Sequence, residues 1–245
     1  MTPEIAAASL KWPLREIDHA WATSPITLRR ARLLDLSGWA FYVAGRGGVL
    51  GDDARPETVA AAVGMIAADA VQAGWEAARK AGPAAVAAAR VAECARWGDE
   101  HLSGLPELDR LVSLADRVVR AAEPAGLALF AAARAMPRPD AGPGGIAAVL
   151  CQLLQEHRAG ALLIGVRACG LTAVEAMIAG PDGPAEAVAS GWSPPFPPRL
   201  PLLRRFRYAD ALADRVAGQA YAVLTPAERM DLVGLISAAA HLIRT

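Results

Sequence analysis

Residues 127–179 read LALFAAARAMPRPDAGPGGIAAVLCQLLQEHRAGALLIGVRACGLTAVEAMIA, and the reading of this stretch decides the fold class. No proline interrupts 144–168, and no period-two alternation marks a strand there. The stretch predicts one long helix over 144–168 and a second over 171–179. Ile146, Val149, Leu150, Leu153, Leu154, Leu162 and Ile164 mark its apolar side. His157 follows Leu153 by four residues and Leu150 by seven, which points it inward with Glu156 and Arg158 on its flanks.

Working outward, proline opens most of the remaining segments. Thr2-Pro3, Ser24-Pro25, Arg55-Pro56, Gly82-Pro83, Leu105-Pro106, Gly183-Pro184 and Thr225-Pro226 each precede a helix-compatible run. Proline suits the first helical position, where its missing N–H would be unpaired anyway. Thr225-Pro226-Ala227-Glu228 is the clearest start, a capping box with Leu224 placed to staple the first turn. The spacing predicts further helices near 3–11, 14–22, 26–47, 56–81, 83–97, 106–122, 124–135, 184–190, 208–222 and 226–243. The proline-rich stretches 136–143 and 191–199 break the pattern. The expectation is an all-α, multi-helix bundle: an N-terminal helical array over 1–136 and a second helical region over 137–245 packed on it, or one continuous domain.

Composition agrees. Hydrophobic residues make up 54 % of the 245 and aromatics only 5 %, with alanine dominant, as expected of closely packed helices. The 25 basic residues balance the 25 acidic ones, so no overall field draws the chain to nucleic acid. Cys94, Cys151 and Cys169 form no metal-ligand or CxxC spacing and are expected as reduced, buried thiols. With no signal pattern and no apolar run of about 18 residues, the expectation is a cytoplasmic chain with no membrane partner.

Three groups of residues carry candidate chemistry. Glu156 and His157 are candidate catalytic groups: a buried histidine near a carboxylate is a possible acid–base pair. The alternative is a core histidine bonded to a backbone carbonyl, with Glu156 and Arg158 in solvated pairs. Trp39, Tyr42 and Arg46 share a helical face, an aromatic wall ending in a cation that would suit an apolar ligand with one anionic or carbonyl group. They and His19 are the candidate ligand-binding residues, against the alternative that the aromatics fill a core thinned by alanine. Arg204, Arg205 and Arg207, with Arg199 nearby, are the candidate phosphate contacts, unless they form a solvated face or a clamp for Asp210 and Asp214. His19, His101, His157 and His241 are too scattered for a metal site. Phosphate-loop, serine-elbow and dinucleotide motifs are absent, so neither a metal nor a cofactor is expected.

The segments 41–51 (FYVAGRGGVLG), 121–140 (AAEPAGLALFAAARAMPRPD), 153–158 (LLQEHR) and 170–176 (GLTAVEA) resemble an actinobacterial family, the SalK-like helix-turn-helix or winged-helix-like proteins often found near specialised-metabolite genes. Residues 213–236 are also similar to the last helices of MarR-type regulators. The family pattern continues LLQEHR with Gly-Asp-Gly-His and places a Trp-His pair one turn earlier. Here the continuation is Ala159-Gly160-Ala161-Leu162 and the earlier pair is Ala148-Val149, so Val149, Gly160 and Leu162 replace polar groups. After Gly191-Trp192, where the family has a helix and a β-wing, this chain reads SPPFPPRLPLLRRFRY. The winged segment is therefore expected to be degenerate and without a clear β-wing.

Two leading functions follow, with a third reading behind them. One is a binder of an apolar small molecule, extending to a cofactor-free cyclase or isomerase that holds its substrate in a reactive conformation. The other is a MarR-like regulator reading DNA with the helix near 171–179, which offers Thr172 and Glu175 but no arginine, asparagine or glutamine. Nucleic acid is the less favoured partner. A helical scaffold, with a homodimer face on the alanine-rich helices, is the third reading.

Overall fold

The computed structural model describes residues 1–244. Among them are thirteen α-helices, a 3-10 turn at Gly48–Leu50 and no strand, so the fold is all-α. In chain order the helices are α1 (Pro3–Ala22), α2 (Pro25–Leu33), α3 (Gly38–Gly47), α4 (Pro56–Val63), α5 (Ala68–Ala78), α6 (Pro83–His101), α7 (Leu108–Ala121) and α8 (Ala128–Ala135). They continue with α9 (Pro143–Ala168), α10 (Ala173–Ala179), α11 (Gly183–Ala189), α12 (Leu200–Tyr221) and α13 (Pro226–Leu242).

Side-chain oxygens of Thr2, Ser24, Ser37, Thr172 and Thr225 cap five of these helices. The box at Thr225 and Glu228 is as the sequence suggested, and a second one joins Thr172 and Glu175. The run expected at 208–222 starts at Leu200 and that expected at 124–135 starts at Ala128, and three other boundaries differ more deeply. The runs at 3–11 and 14–22 are one helix: α1 passes through Pro13, an interior proline that costs about 3 kcal/mol in an isolated helix. Its buried face of Leu10, Leu14, Ile17 and Trp21 overrides that local preference. The run at 26–47 splits because Ser37 caps a new helix. The run at 56–81 splits at Gly64, whose φ of +73° suits glycine and whose close neighbour Leu163 leaves no room for a side chain.

Helix α9 is the axis of the molecule, with α1, α6, α7, α8 and α12 around it. Small residues let its neighbours approach closely. A Cβ on Gly98 of α6 would lie 2.4 Å from the carbonyl oxygen of Gly144, and one on Gly165 would lie 2.2 Å from that of Ala209 in α12. Gly142 has no side chain to cap α9, so Asp99 of α6 does it. Its carboxylate accepts from the amides of Gly142 at 2.9 Å and Gly145 at 2.6 Å, where the helix dipole favours negative charge.

Three apolar clusters result. The largest draws on α1, α6, α7, α9, α12 and α13, from both sides of Met136. The second lies among α2 to α6 with Leu129, and the third gathers the end of α9 with α10, α11 and α12. Gly191 and Trp192 hook this last part onto the N-terminal helices. The Trp192 indole donates to the carbonyl of Met65 at 3.0 Å, and Ala67 N–H donates to the carbonyl of Ser190 at 3.0 Å. No single helix is long and apolar enough to cross a membrane.

Candidate functional site

Successive residues of an α-helix point about 100° apart, and on α9 three consecutive polar residues meet three different helices. Glu156 faces α3, His157 faces α8 and Arg158 faces α12. Glu156 and Arg158 are therefore not in solvated pairs. Their side chains are 11 % and 9 % exposed, because α9 has protein around it where a surface helix would have water.

Glu156 meets Arg46 edge-on: Nε donates to Oε2 at 3.0 Å and Nη2 donates to Oε1 at 2.7 Å. Tyr42, one turn earlier on α3, accepts from Nη1 of Arg46 at 3.3 Å. Behind this pair lie two charged residues that the sequence reading passed over. Arg90 of α6, 3 % exposed, stacks over the Trp21 ring at 4.3 Å and approaches Asp18 of α1 at 3.7 Å. Burial pushes the Asp18 carboxyl up, opposed by Arg90 and Arg46. Burial would raise Glu156 as well, but the charge and hydrogen bonds of Arg46 outweigh it and hold the group below its ordinary value. The result is a polar seam of alternating charge between apolar clusters.

Arg46 and Glu156 stand at the wall of a cavity of about 600 Å³. Its other walls are mainly apolar: Ala62 from α4, Leu127, Leu129 and Phe130 around the start of α8, and Gly160 and Leu163 from α9. A guanidinium carries five N–H groups, of which Glu156 and Tyr42 take three. Two donors remain for a ligand oxygen. With its carboxylate already doubly bonded and its proton affinity lowered, Glu156 is arranged as an anchor for Arg46.

The other sequence candidates lie elsewhere. His157, 3 % exposed, meets the edge of the Phe130 ring at a centroid distance of 4.8 Å. Burial, with the nearby charges of Arg134 and Arg158, lowers its pKa to about 4, so it is neutral at pH 7. Trp39 lies tilted against Tyr42, ring centroids 6.0 Å apart, and donates its indole N–H to the carbonyl of Ala70, away from the cavity. His19 is exposed near the end of α1. Arg199 donates to the carbonyl of Gly180 at 2.7 Å, and Arg205 to those of Cys169 and Gly170. These two arginines close the C-terminal ends of α10 and α9, as the helix dipole favours. Arg204 and Arg207 are exposed. Asp210 and Asp214 are clamped by Arg158 at 2.6 and 2.9 Å, and Asp210 also by Lys11 at 2.6 Å. Cys94 and Cys151 are buried free thiols that burial makes harder to ionise, Cys151 reaching about 12.

The pair α10–α11, joined by the turn Gly180-Pro181-Asp182, is followed by the proline-rich stretch 191–199. The pattern that defines the helix-turn-helix family matches residues 8–196. The chain belongs to the helix-turn-helix family. No curated protein matches the chain, and no solved structure does.

In this helix-turn-helix protein, α10 faces the core through Ala176, Met177, Ile178 and Ala179. Thr172 and Glu175, the residues left to read bases on that helix, spend their side chains on its capping box. The second helix of the pair, α11, is the more exposed. Asp182, just before its first residue, and Glu186 within it both pair with Arg15 of α1, and the helix has no basic residue.

Proposed function

We propose that this helix-turn-helix family member binds an apolar small molecule carrying one hydrogen-bond acceptor, in the cavity between α3, α4, α8 and α9. The observation that carries the reading is the buried Arg46–Glu156 pair on the wall of a largely apolar space of about 600 Å³. Such a site, apolar with a few fixed polar groups, is the usual form of a small-molecule pocket. Two positions where the SalK-like pattern has polar groups support it further. Gly160 lines this cavity and Leu162 lines a neighbouring one, so both spaces have become more apolar. A cyclase or isomerase that works by confining a flexible substrate would use the same cavity, in the specialised-metabolite setting that this resemblance implies.

The test combines native mass spectrometry of the purified chain with titration of 1-anilinonaphthalene-8-sulfonate. A co-purifying apolar molecule, and fluorophore binding that Ala62→Phe weakens at least tenfold by filling the cavity, support the reading. An empty protein whose fluorophore binding ignores Ala62→Phe overturns it.

Membership of the helix-turn-helix family favours a second reading, DNA binding, with Arg204, Arg205 and Arg207 as phosphate contacts. Its test is a gel shift at low salt. A salt-dependent shift weakened by Arg204→Ala with Arg207→Ala supports it, and no shift at low salt ends it.

A further inference from the structure

The cavity beside the Arg46–Glu156 pair has a third charged residue in its walls, Arg167 of α9. Glu156, Ala159, Gly160, Leu163, Ile164 and Arg167 follow one another along one face of α9, and all of them line the space. The first and last are eleven residues apart, about 16 Å of helix. At the Glu156 end the walls include the buried Leu129 and Phe130, whereas Ile164 and Arg167 are exposed. The cavity is thus elongated and mainly apolar, and it opens towards the last turn of α9.

The two ends differ in charge. The Arg46 guanidinium is matched to both oxygens of Glu156, so a carboxylate placed there would meet another carboxylate. The Arg167 guanidinium has no hydrogen bond or ion pair among the described residues. Nor is it needed to close its own helix, because Arg205 holds the carbonyls of Cys169 and Gly170. Two cations and one carboxylate line the cavity, which leaves one positive charge, and it sits at the open end.

We propose, resting on the small-molecule function assigned above to this cavity, that its ligand is an extended apolar carboxylic acid. The carboxylate meets Arg167 at the open end, and the chain runs inward past Leu163 and Gly160 towards Arg46. The neutral acceptor that Arg46 serves then belongs to the end of the molecule remote from its acid group. An ion pair at an exposed arginine is worth little by itself. The apolar chain therefore supplies most of the affinity, and Arg167 supplies the selection for an acid over an uncharged molecule of the same length.

The experiment is calorimetric titration of the full chain with decanoate and with 1-decanol, repeated on Arg167→Met. This variant keeps an apolar stem and removes the charge. It is expected to weaken decanoate about fivefold or more and to leave 1-decanol unchanged, and the unchanged alcohol shows that the fold and the cavity are intact. The effect on decanoate should shrink at high salt, as for any partly solvated ion pair. Equal weakening of both ligands, or a decanoate affinity that Arg167→Met does not move, overturns the proposal. The cavity reading survives either result provided Ala62→Phe still weakens both ligands. Failure of decanoate to bind also overturns it, and the fluorophore titration with Ala62→Phe then shows whether the cavity reading falls as well.

Discussion

Arg46 and Glu156 stand 110 positions apart in the chain, yet the guanidinium of one grips the carboxylate of the other with two hydrogen bonds at 3.0 and 2.7 Å. Both side chains are nearly nine-tenths buried. Removing one partner leaves an uncompensated charge, so Arg46→Met or Glu156→Leu should each cost about 3–5 kcal/mol. The double variant Arg46→Met/Glu156→Leu should recover most of that loss. A double-mutant cycle read by urea unfolding checks it, and additive losses would show that the pair does not act as a unit.

His157 makes stability depend on pH in a defined window. Its pKa is about 4 in the folded protein against 6.5 for the unfolded chain. Between those values the unfolded state binds the proton and the folded state does not, so stability falls as pH drops from 6.5 to 4, by on the order of 3 kcal/mol. His157→Leu should flatten this part of the acid limb. Unfolding midpoints at pH 7.5, 5.5 and 4.5 test it, and an unchanged slope in the variant refutes it.

Glu228 acts in a lower window. Hydrogen bonds from Arg117 and from the backbone N–H of Thr225 hold its carboxyl at about 2, below the ordinary 4.5. Its contribution is present above pH 4.5 and is lost as pH falls towards 2. Glu228→Gln should therefore be less stable than the parent at pH 6 and converge on it near pH 2. A gap between them that persists at pH 2 would contradict this.

The junction of α6 and α9 should be intolerant of change. Asp99→Ala removes the cap of α9 and should cost about 1–2 kcal/mol. Gly98→Val places a side chain against the carbonyl of Gly144 and should cost more, since backbone cannot yield as a side chain can. Thermal unfolding orders the two, and a Gly98→Val protein as stable as the parent would disprove the close approach.

The arginines at the start of α12 should separate by role. Arg205 holds the carbonyls at the end of α9, so Arg205→Ala should cost up to about 1 kcal/mol. Arg204→Ala and Arg207→Ala should leave stability unchanged. Equal losses at all three would remove the distinction.

The fold class was legible because proline starts and caps are local. Pro56, Pro83 and Thr225 announce their helices without help from the rest of the chain. Breaks inside long runs were not, because Gly64 ends a helix partly through Leu163, a residue that comes near only after folding. The same holds for the site. Arg46 and Glu156 are conspicuous singly, as charges in apolar helices, but nothing local pairs them. Asp99 caps a helix other than its own, which no local motif reports. Arg158, Asp210 and Asp214 left one trace, an arginine in the apolar run of α9 and two aspartates one turn apart on α12.

Because Glu156, His157 and Arg158 each answer to a different neighbour, α9 has a fixed phase. One residue inserted between Gly145 and Glu156 would turn everything after it by about 100°. Glu156 would then face Phe130, His157 would face Asp210, and Arg46 would be left without its carboxylate. One residue deleted would turn His157 towards Arg46 and Arg158 towards Phe130. A substitution along this helix is felt at one contact, whereas a change in its length is felt at three.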